Sequence, residues 1–476
     1  MTSAWWLRAR VNADTVGVLV GAVAALALFL TSGPAPLVYD AATYVGSATA
    51  WTDGLAPTDG LRGYTTGLIF VPAVLINRST TLSIELALLV EMSVIMAIVG
   101  WLVLPILASR VLARPPKIQD RVAASVLLWL LWGGYASAAL TDVPALMLLL
   151  SAVLVYWKSD RIMPLVAVGF LGGLAYNLRP AYVLVTFGFV LLAVLDGSGA
   201  PRLRGSRGAL VLAGIIVALA PQGFINAMNG ASGLPPVPPL TGGLVAFQIE
   251  SGLRYQRYET SLDPSFPSPQ LLACDPGGQR LLVNSGVGAP HTIPEYAAIL
   301  ATDPVQGAAL VARRIENGVW LDERSPYVLS RSSRNDALGF ANVVLLSLVA
   351  AFVVAQARAV PRLAILTTMI ALACAPAIGT VVEQRFFLPV SAMAIAFAMP
   401  VARWHLRHGF ARSVATVIGS VAVAVVVSSS TTQTPAFEVP GFVAGLQCAA
   451  SGYVHPALET RYRYSGLSEP SSSAVL

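Results

Sequence analysis

Five charged side chains stand at the ends of apolar segments, where they could act together in one reaction. They are Asp40, Asp142, Arg179, Glu383 and Arg385. A carboxylate can take the proton of an incoming hydroxyl group, and a guanidinium group can hold a phosphate that leaves. If these residues gather at one edge of a membrane, their types predict the transfer of a group from a lipid phosphate to a hydroxyl.

Each of these side chains also has a purely structural interpretation. Asp142 precedes a Val-Pro pair and could be the N-cap of a helix. Asp40 could cap a short interfacial helix over 41–51. Arg179 and Arg385 could anchor helices at the membrane surface by extending their guanidinium groups to water. The residues alone leave these interpretations open.

The elements that must position these residues are apolar helices. Of the 476 residues, 56% are hydrophobic and 11% are charged, whereas soluble domains carry roughly 25% charged residues. Apolar runs long enough to cross a membrane as helix recur along the chain. They do not alternate in the manner of membrane barrel strands. The sequence therefore predicts an all-α polytopic membrane protein.

Loop charge predicts how the chain crosses the membrane. Arg8 and Arg10 precede the first apolar run, which is longer than the core of a signal peptide, so we expect an uncleaved anchor. Arginine clusters then mark the cytoplasmic loops. About eleven transmembrane helices satisfy this rule: 15–34, 82–108, 122–140, 143–157, 163–178, 181–195, 209–226, 339–356, 363–381, 386–402 and 413–429. We expect a multi-pass protein of the cell membrane with a cytoplasmic N-terminus and an extracytoplasmic C-terminus.

The same map divides the chain into four parts. They are the N-terminal transmembrane module 1–226 with its first outer loop 35–81, the extracytoplasmic loop 227–337, the C-terminal transmembrane helices 338–429 and the extracytoplasmic tail 430–476. The stretch GLIFVPAVLI at 67–76 is too short to span and contains Pro72, so it is predicted to be interfacial. In the large loop, an amphipathic helix is predicted over 303–318, with Asp303 as its cap.

The three cysteines fall in different environments on this map. Cys274 and Cys448 are predicted on the outside, where disulfides persist, so they form a candidate disulfide. Two unrelated buried thiols are the alternative, because spacing alone does not show that the two backbones approach each other. Cys374 lies within a predicted span.

Several kinds of site are disfavoured by spacing. The histidines are not spaced as metal ligands, so we expect no metal. The glycine-rich stretches lack the lysine and the preceding strand of a nucleotide-binding loop. The basic residues form no stripe interleaved with aromatic residues, which disfavours nucleic acid. Glu91 is the one deep carboxylate of its span, and we expect it to make a structural hydrogen bond.

The stretch that follows the first span carries a recognisable spacing, Asp40, Tyr44, Ala48 and Gly54. It resembles the first outer loop of the GT-C superfamily of membrane glycosyltransferases, which includes protein O-mannosyltransferases and the aminoarabinose transferase of lipid A. Asp142 resembles a second acidic residue in the next outer turn. GGLAYNLRPAY looks like a helix pair of these enzymes, and EQRFFLP is similar to their Glu-x-Arg-aromatic element.

The resemblance implies an inverting glycosyltransferase that uses a polyprenyl-phosphate sugar donor at the outer leaflet. It implies Asp40 as the catalytic base. It assigns Arg385 and Arg179 to binding of the donor phosphate. It assigns Tyr44, Asp142 and Glu383 to positioning of the substrate. The acceptor would be a cell-envelope glycan, a lipid or a protein, and no cofactor is expected.

Two other classes of function remain open from the sequence. A transporter of lipid-linked glycans would carry paired broken helices and a polar site near the midplane, whereas the charges here gather at one edge. An O-antigen-type polymerase or ligase would use arginines and a histidine of the large loop, and His291 fits that alternative.

Overall fold

The computed structural model of the protein is helical in nearly every element that it describes. The described residues are 37–55, 63–157, 162–195, 201–228, 242–262, 270–287, 290–321, 323–327, 336–380 and 382–407, with parts of two further helical segments within 15–30 and 416–427. The predicted tail 430–476, with Cys448, lies outside the described residues.

Nine labelled helices form the N-terminal part of the structure. They are α1 Tyr39–Thr52, α2 Thr65–Ser79, α3 Ile84–Ile98, α4 Leu104–Val111, α5 Ile118–Trp132, α6 Asp142–Tyr156, α7 Ile162–Leu178, α8 Val183–Leu195 and α9 Pro201–Met228. A π-helical turn, Val99–Val103, joins α3 to α4. Two 3-10 turns, Gly133–Ala136 and Pro180–Tyr182, follow α5 and precede α8. The predicted interfacial stretch 67–76 is helical and lies inside α2.

The large loop folds into short helices and one small sheet. Its elements are α10 Gly242–Arg254, β1 Tyr255–Thr260, β2 Gln270–Cys274, α11 Pro276–Asn284, α12 Ile293–Thr302 and α13 Pro304–Val319. The two strands pair antiparallel, and the sequence analysis did not anticipate them. The helix predicted over 303–318 is confirmed by α13, whose cap Asp303 accepts a hydrogen bond from the backbone N–H of Gln306 at 3.1 Å.

The C-terminal part packs back onto the N-terminal helices. It consists of α14 Asp336–Gln356, α15 Pro361–Gly379, a 3-10 turn Gln384–Phe387 and α16 Leu388–Arg407. Helix α16 packs against α5 and α14, and α7 packs along α6 and α9. A continuous apolar core runs through α1 to α9 and α14 to α16. The turn Gln384–Phe387 is thereby held against the ends of the N-terminal helices.

Four helices of the described chain are long and apolar enough to cross a membrane. They are Ile84–Val111, Gly205–Ala227, Asp336–Gln356 and Gln384–His405. The shorter apolar helices are Asp142–Tyr156, Met163–Leu178, Pro180–Leu195 and Pro361–Ala377. A helix of 15 residues such as α6 is about 22 Å long, less than the ~30 Å of hydrocarbon in a bilayer. The structure is therefore consistent with an all-α membrane protein.

Helix α5 begins and ends earlier than the predicted span 122–140. It begins at Ile118 because Asp120 reaches back to accept from the backbone N–H of Lys117 at 2.9 Å. This single bond from the helix end to Asp120 satisfies a backbone donor. The helix ends at Trp132, before two glycines that disfavour further α-helix. The chain then continues as a 3-10 turn that faces the large loop.

Glu91 lies on α3 opposite the proline of α2. Its Oε2 accepts a hydrogen bond from the backbone N–H of Ala73 at 3.0 Å. Ala73 follows Pro72, which lies inside α2 and disturbs the regular hydrogen-bond ladder of a helix. The carboxyl group therefore pairs with a backbone donor beside this irregularity, and the predicted structural hydrogen bond is confirmed.

Candidate active site

Asp40 lies in the first turn of α1, beside an unusual backbone conformation. Tyr39 adopts a left-handed φ of 51°, which is uncommon for a residue other than glycine. The N-cap of α1 is Val38, whose side chain makes no capping hydrogen bond. Oδ2 of Asp40 accepts from Nη1 and Nη2 of Arg385 at 3.4 and 3.5 Å. The helix predicted over 41–51 is present, and the carboxylate faces the bundle as one side of an ion pair.

Arg385 is the centre of the cluster, with three carboxylates around one guanidinium group. Glu383 Oε2 lies 2.5 Å from its Nε. Asp40 lies on the Nη side, and Asp142 Oδ2 is 4.0 Å from Nη1. The Arg385 side chain is 13% exposed and that of Asp40 is 38% exposed. Asp40 is thus the carboxylate of this group that a molecule in solvent can reach most readily.

Asp142 and Arg179 form a second, deeply buried ion pair. Nη1 of Arg179 contacts Oδ1 of Asp142, with 8% and 3% of the side chains exposed. Asp142 is the first residue of α6, after the N-cap Thr141, and a carboxylate is favourable at the positive end of a helix. Arg179 stands in an extended conformation before Pro180, since the residue before a proline avoids helix.

The second ion pair touches the first through the turn Gln384–Phe387. The guanidinium carbon of Arg179 lies 5.0 Å from the centroid of the Phe386 ring. Arg179 is buried, Arg385 is largely buried, and both face carboxylates. Neither guanidinium group extends to bulk water, as it would if its side chain anchored a helix at the membrane surface.

Tyr44 lies one helical turn after Asp40, so that both side chains share a face of α1. It is 2% exposed, and its ring stacks on Phe70 of α2 with 6.4 Å between centroids. Its hydroxyl group interacts electrostatically with Arg385. The structure therefore brings together all six residues that the sequence analysis assigned to the site.

The large loop adds residues that the sequence analysis missed. The backbone N–H of Tyr258 donates to the carbonyl of Val382 at 2.9 Å, so β1 lies beside the chain that leads into Glu383. Burial, with the negative charge of Glu383, raises the pKa of Tyr258 to about 12. Its phenol therefore stays protonated at neutral pH. On the same strand, Arg257 Nε donates to Glu259 Oε1 at 2.8 Å, and both side chains are buried.

A faint signal for this strand exists in RYQRYET. Residues two apart on a strand point to the same face, and Arg257 and Glu259 are two apart with opposite charge. The signal is not specific, because the second neighbour of β1 is Val382, far away in sequence. Only the folded chain reveals that pairing.

A second part of the large loop, residues 323–327, covers the cluster. The backbone N–H of Gly134 donates to the carbonyl of Arg324 at 3.1 Å, and Arg324 Nη2 donates to the carbonyl of Trp129 at 3.3 Å. These bonds dock the segment on the end of α5. Its last residue, Tyr327, interacts electrostatically with Arg385 and Asp40.

Substitution of Gly134 by alanine tests this docking. A Cβ at Gly134 would lie 2.7 Å from the Cα of Ser325, and the next nearest atoms are also backbone atoms of Arg324 and Ser325, which cannot rotate away as a side chain could. We expect Gly134→Ala to displace Tyr327 and to lower the turnover of the site by up to about 10²-fold, as a 1 Å misplacement can. Gly46→Ala is the control, since nothing lies within 4 Å of that Cβ. Equal turnover of the two variants would contradict the docking.

The remaining predicted residues lie elsewhere. The backbone N–H of His291 donates to Glu295 Oε2 at 2.6 Å. His291 therefore takes part in the cap of α12. Cys274 is disulfide-bonded, and its predicted partner Cys448 lies outside the described residues. Cys374 is a free, buried thiol. Within the described part of the chain, no group of three or more His, Cys, Asp or Glu side chains could hold a metal ion.

Comparisons of the chain with protein-family models, with curated proteins and with solved structures find no match. The site must therefore be interpreted from its own geometry. It holds three carboxylates and two guanidinium groups at the ends of apolar helices, under a folded loop. One carboxylate is accessible, and the guanidinium group beside it is largely buried.

Proposed function

We propose that the protein is an inverting glycosyltransferase of the GT-C type. It would move a sugar from a polyprenyl-phosphate donor to a hydroxyl of a cell-envelope acceptor at the outer leaflet. The observation that carries the proposal is the pair of Asp40 and Arg385. An accessible carboxylate stands directly beside a largely buried guanidinium group, which is the combination that a one-step transfer from a phosphate needs.

The proposed location follows from loop charge. About eleven crossings with a cytoplasmic N-terminus put the ends that carry Asp40, Asp142 and Arg385 on the extracytoplasmic side. A lipid-linked donor reaches such a site sideways from the bilayer, with its phosphate at the headgroup level. The large loop then covers the site from the aqueous side.

In the proposed reaction the donor phosphate takes the place of Asp40 at Arg385, so that the reacting carbon lies between the two groups. The acceptor oxygen forms a bond to the anomeric carbon while the bond from that carbon to the phosphate oxygen breaks. The acceptor proton moves to Asp40, and the bonding electron pair remains on the phosphate. The guanidinium group of Arg385 stabilises the charge that develops there. Attack from the face opposite the leaving phosphate inverts the configuration.

The distances around Arg385 support this division of roles. Glu383 holds Nε at 2.5 Å, while Asp40 is 3.4 Å from Nη1. The longer contact is the weaker one, so an incoming phosphate can replace Asp40 at the Nη atoms while Glu383 keeps the guanidinium group oriented. Asp142 holds Arg179 in the same manner, which provides a second cation near the leaving phosphate.

A donor assay tests the proposed reaction. Membranes that contain the full chain are incubated with a panel of radiolabelled polyprenyl-phosphate sugars, and the label is followed out of the lipid fraction. We expect one donor to lose its label to an acceptor in these membranes and not in membranes without the protein. Label that crosses the bilayer still attached to lipid would instead indicate a transporter, and would contradict the proposal.

A further inference from the structure

Tyr327 places a buried side chain beside the charged cluster. The residue is 3% exposed. Among the described residues, no group hydrogen-bonds its Oη, whereas buried polar groups are nearly always paired. Burial raises the pKa of this phenol above its ordinary value, so it remains a neutral donor and acceptor. It faces the charges of Arg385 and Asp40, which is where a substrate would lie.

Tyr39 places an exposed aromatic ring next to the same point. It is 46% exposed and immediately precedes Asp40. Its ring is tilted against that of Tyr327, with 6.4 Å between centroids. The left-handed φ of 51° at Tyr39 is a costly conformation that is often found at functional sites. The conformation, the open ring face and the unpaired hydroxyl all occur beside one accessible carboxylate.

The chemistry of these two tyrosines suits a sugar ring. An aromatic face packs on the apolar C–H face of a sugar, and a neutral hydroxyl exchanges hydrogen bonds with sugar hydroxyls. One common way to bind an extended peptide is addition to a free strand edge. At Arg257 and Tyr258, β1 is paired with β2 on one side and with Val382 on the other, so these positions offer no such edge.

We propose that the acceptor of this site is a carbohydrate, whose ring packs on Tyr39 and whose hydroxyl group hydrogen-bonds Tyr327 Oη beside Asp40. This inference rests on the proposed glycosyl transfer and narrows its acceptor to one chemical class. It assigns to Tyr39 and Tyr327 the binding of the acceptor sugar. Asp40 then receives the proton of a neighbouring hydroxyl on the same sugar.

Binding of simple sugars tests the inference without any transfer. The full chain in lipid nanodiscs is mixed with methyl glycosides of several hexoses and pentoses, and with a peptide rich in serine and threonine. Saturation-transfer NMR then reports which probe touches the protein. We expect contact at the ring C–H protons of at least one glycoside and none for the peptide. Tyr39→Phe keeps the contact, and Tyr39→Leu, which removes the aromatic face, abolishes it.

The hydroxyl of Tyr327 is tested separately. Tyr327→Phe should weaken glycoside binding by about tenfold, as expected for the loss of one hydrogen bond. It should not lower the unfolding temperature, because no internal bond is lost. Tyr64→Phe is the matched control, since the hydroxyl of Tyr64 donates to the carbonyl of Ala218 at 2.9 Å. That variant should lose stability and keep glycoside binding.

Two results would overturn the inference. One is glycoside binding that is unchanged in both Tyr39→Leu and Tyr327→Phe. The other is NMR contact with the peptide alone. The donor assay separates this failure from failure of the proposed function: if labelled sugar moves onto the peptide, the transferase stands and the carbohydrate acceptor falls. If glycosides bind but no polyprenyl-phosphate sugar is consumed, the sugar site stands and the transferase falls.

Discussion

Replacement of Asp40 by asparagine is expected to abolish sugar transfer while the protein folds and inserts normally. The amide has the size of the carboxylate but cannot take a proton from the acceptor hydroxyl. Loss of a catalytic base typically lowers the rate by roughly 10²- to 10⁴-fold. The measurement is release of label from the polyprenyl-phosphate donor by membranes with equal amounts of each variant.

The fold should tolerate this change because Asp40 is the least buried partner of Arg385. Its side chain is 38% exposed, and the guanidinium group keeps Glu383 at 2.5 Å. Partly exposed ion pairs contribute only about 0–1 kcal/mol, so the unfolding temperature should hardly move. Asp53→Asn is the control at the other end of α1, where Asp53 pairs with Arg78 in solvent at 2.8 Å. Near-normal turnover by Asp40→Asn would exclude the proposed base.

Removal of the Asp142 carboxylate is expected to have the largest effect on stability. Arg179 is 7% exposed, and Asp142→Ala would leave its charge buried beside a missing partner. Breaking a buried ion pair typically costs about 3–5 kcal/mol of the free energy of unfolding. Thermal unfolding of the purified variant measures the loss. The matched control is Glu250→Gln, which breaks the more exposed pair of Glu250 with Arg254 and should cost well under 1 kcal/mol.

A double variant separates the structural role of this pair from its role in transfer. Apolar replacement of both partners often restores stability, so Asp142→Leu with Arg179→Met should unfold at a higher temperature than Asp142→Ala. Sugar transfer should remain low, because the second cation near the phosphate is gone. Recovery of transfer together with stability would limit Arg179 to a structural role. Normal stability of Asp142→Ala would contradict the buried pair itself.

The sequence predicted which charged residues lie together better than it predicted their pairing. Asp40 and Arg385 are 345 positions apart, and loop charge predicted both at the same membrane edge. No pattern in the chain could show that Arg179 takes Asp142 while Glu383 takes Nε of Arg385. That choice depends on how α6, α7 and the turn before α16 meet, which is set by packing of their apolar faces.

The helices were predicted closely where their ends carry local signals. Asp303 and Pro304 predicted the start of α13, and the structure begins that helix at Pro304. The span predicted over 122–140 was displaced because two local features set the ends of α5. They are the hydrogen bond from the backbone N–H of Lys117 to Asp120 and the glycine pair after Trp132. Hydropathy gives the middle of an apolar segment, whereas hydrogen bonds at its ends fix the boundaries.

The position of the segment 323–327 over the cluster was the feature that the sequence predicted least. Tyr327 reaches the cluster because Arg324 is hydrogen-bonded to Gly134 and Trp129. The orientation of β1 depends in turn on Val382. Each of these contacts joins residues that are distant in sequence and carry no charge pattern of their own. Tyr39 and Tyr327 therefore became visible as a pair only in the folded chain.

The most direct test of the account asks on which side of the membrane position 40 lies and whether it is close to the donor. Asp40→Cys is treated in intact cells with a membrane-impermeant maleimide, with and without prior addition of polyprenyl phosphate. We predict labelling from the outside that the lipid phosphate blocks, while Asp53→Cys is labelled in both conditions. Labelling of position 40 only after the membrane is permeabilised would contradict an extracytoplasmic site.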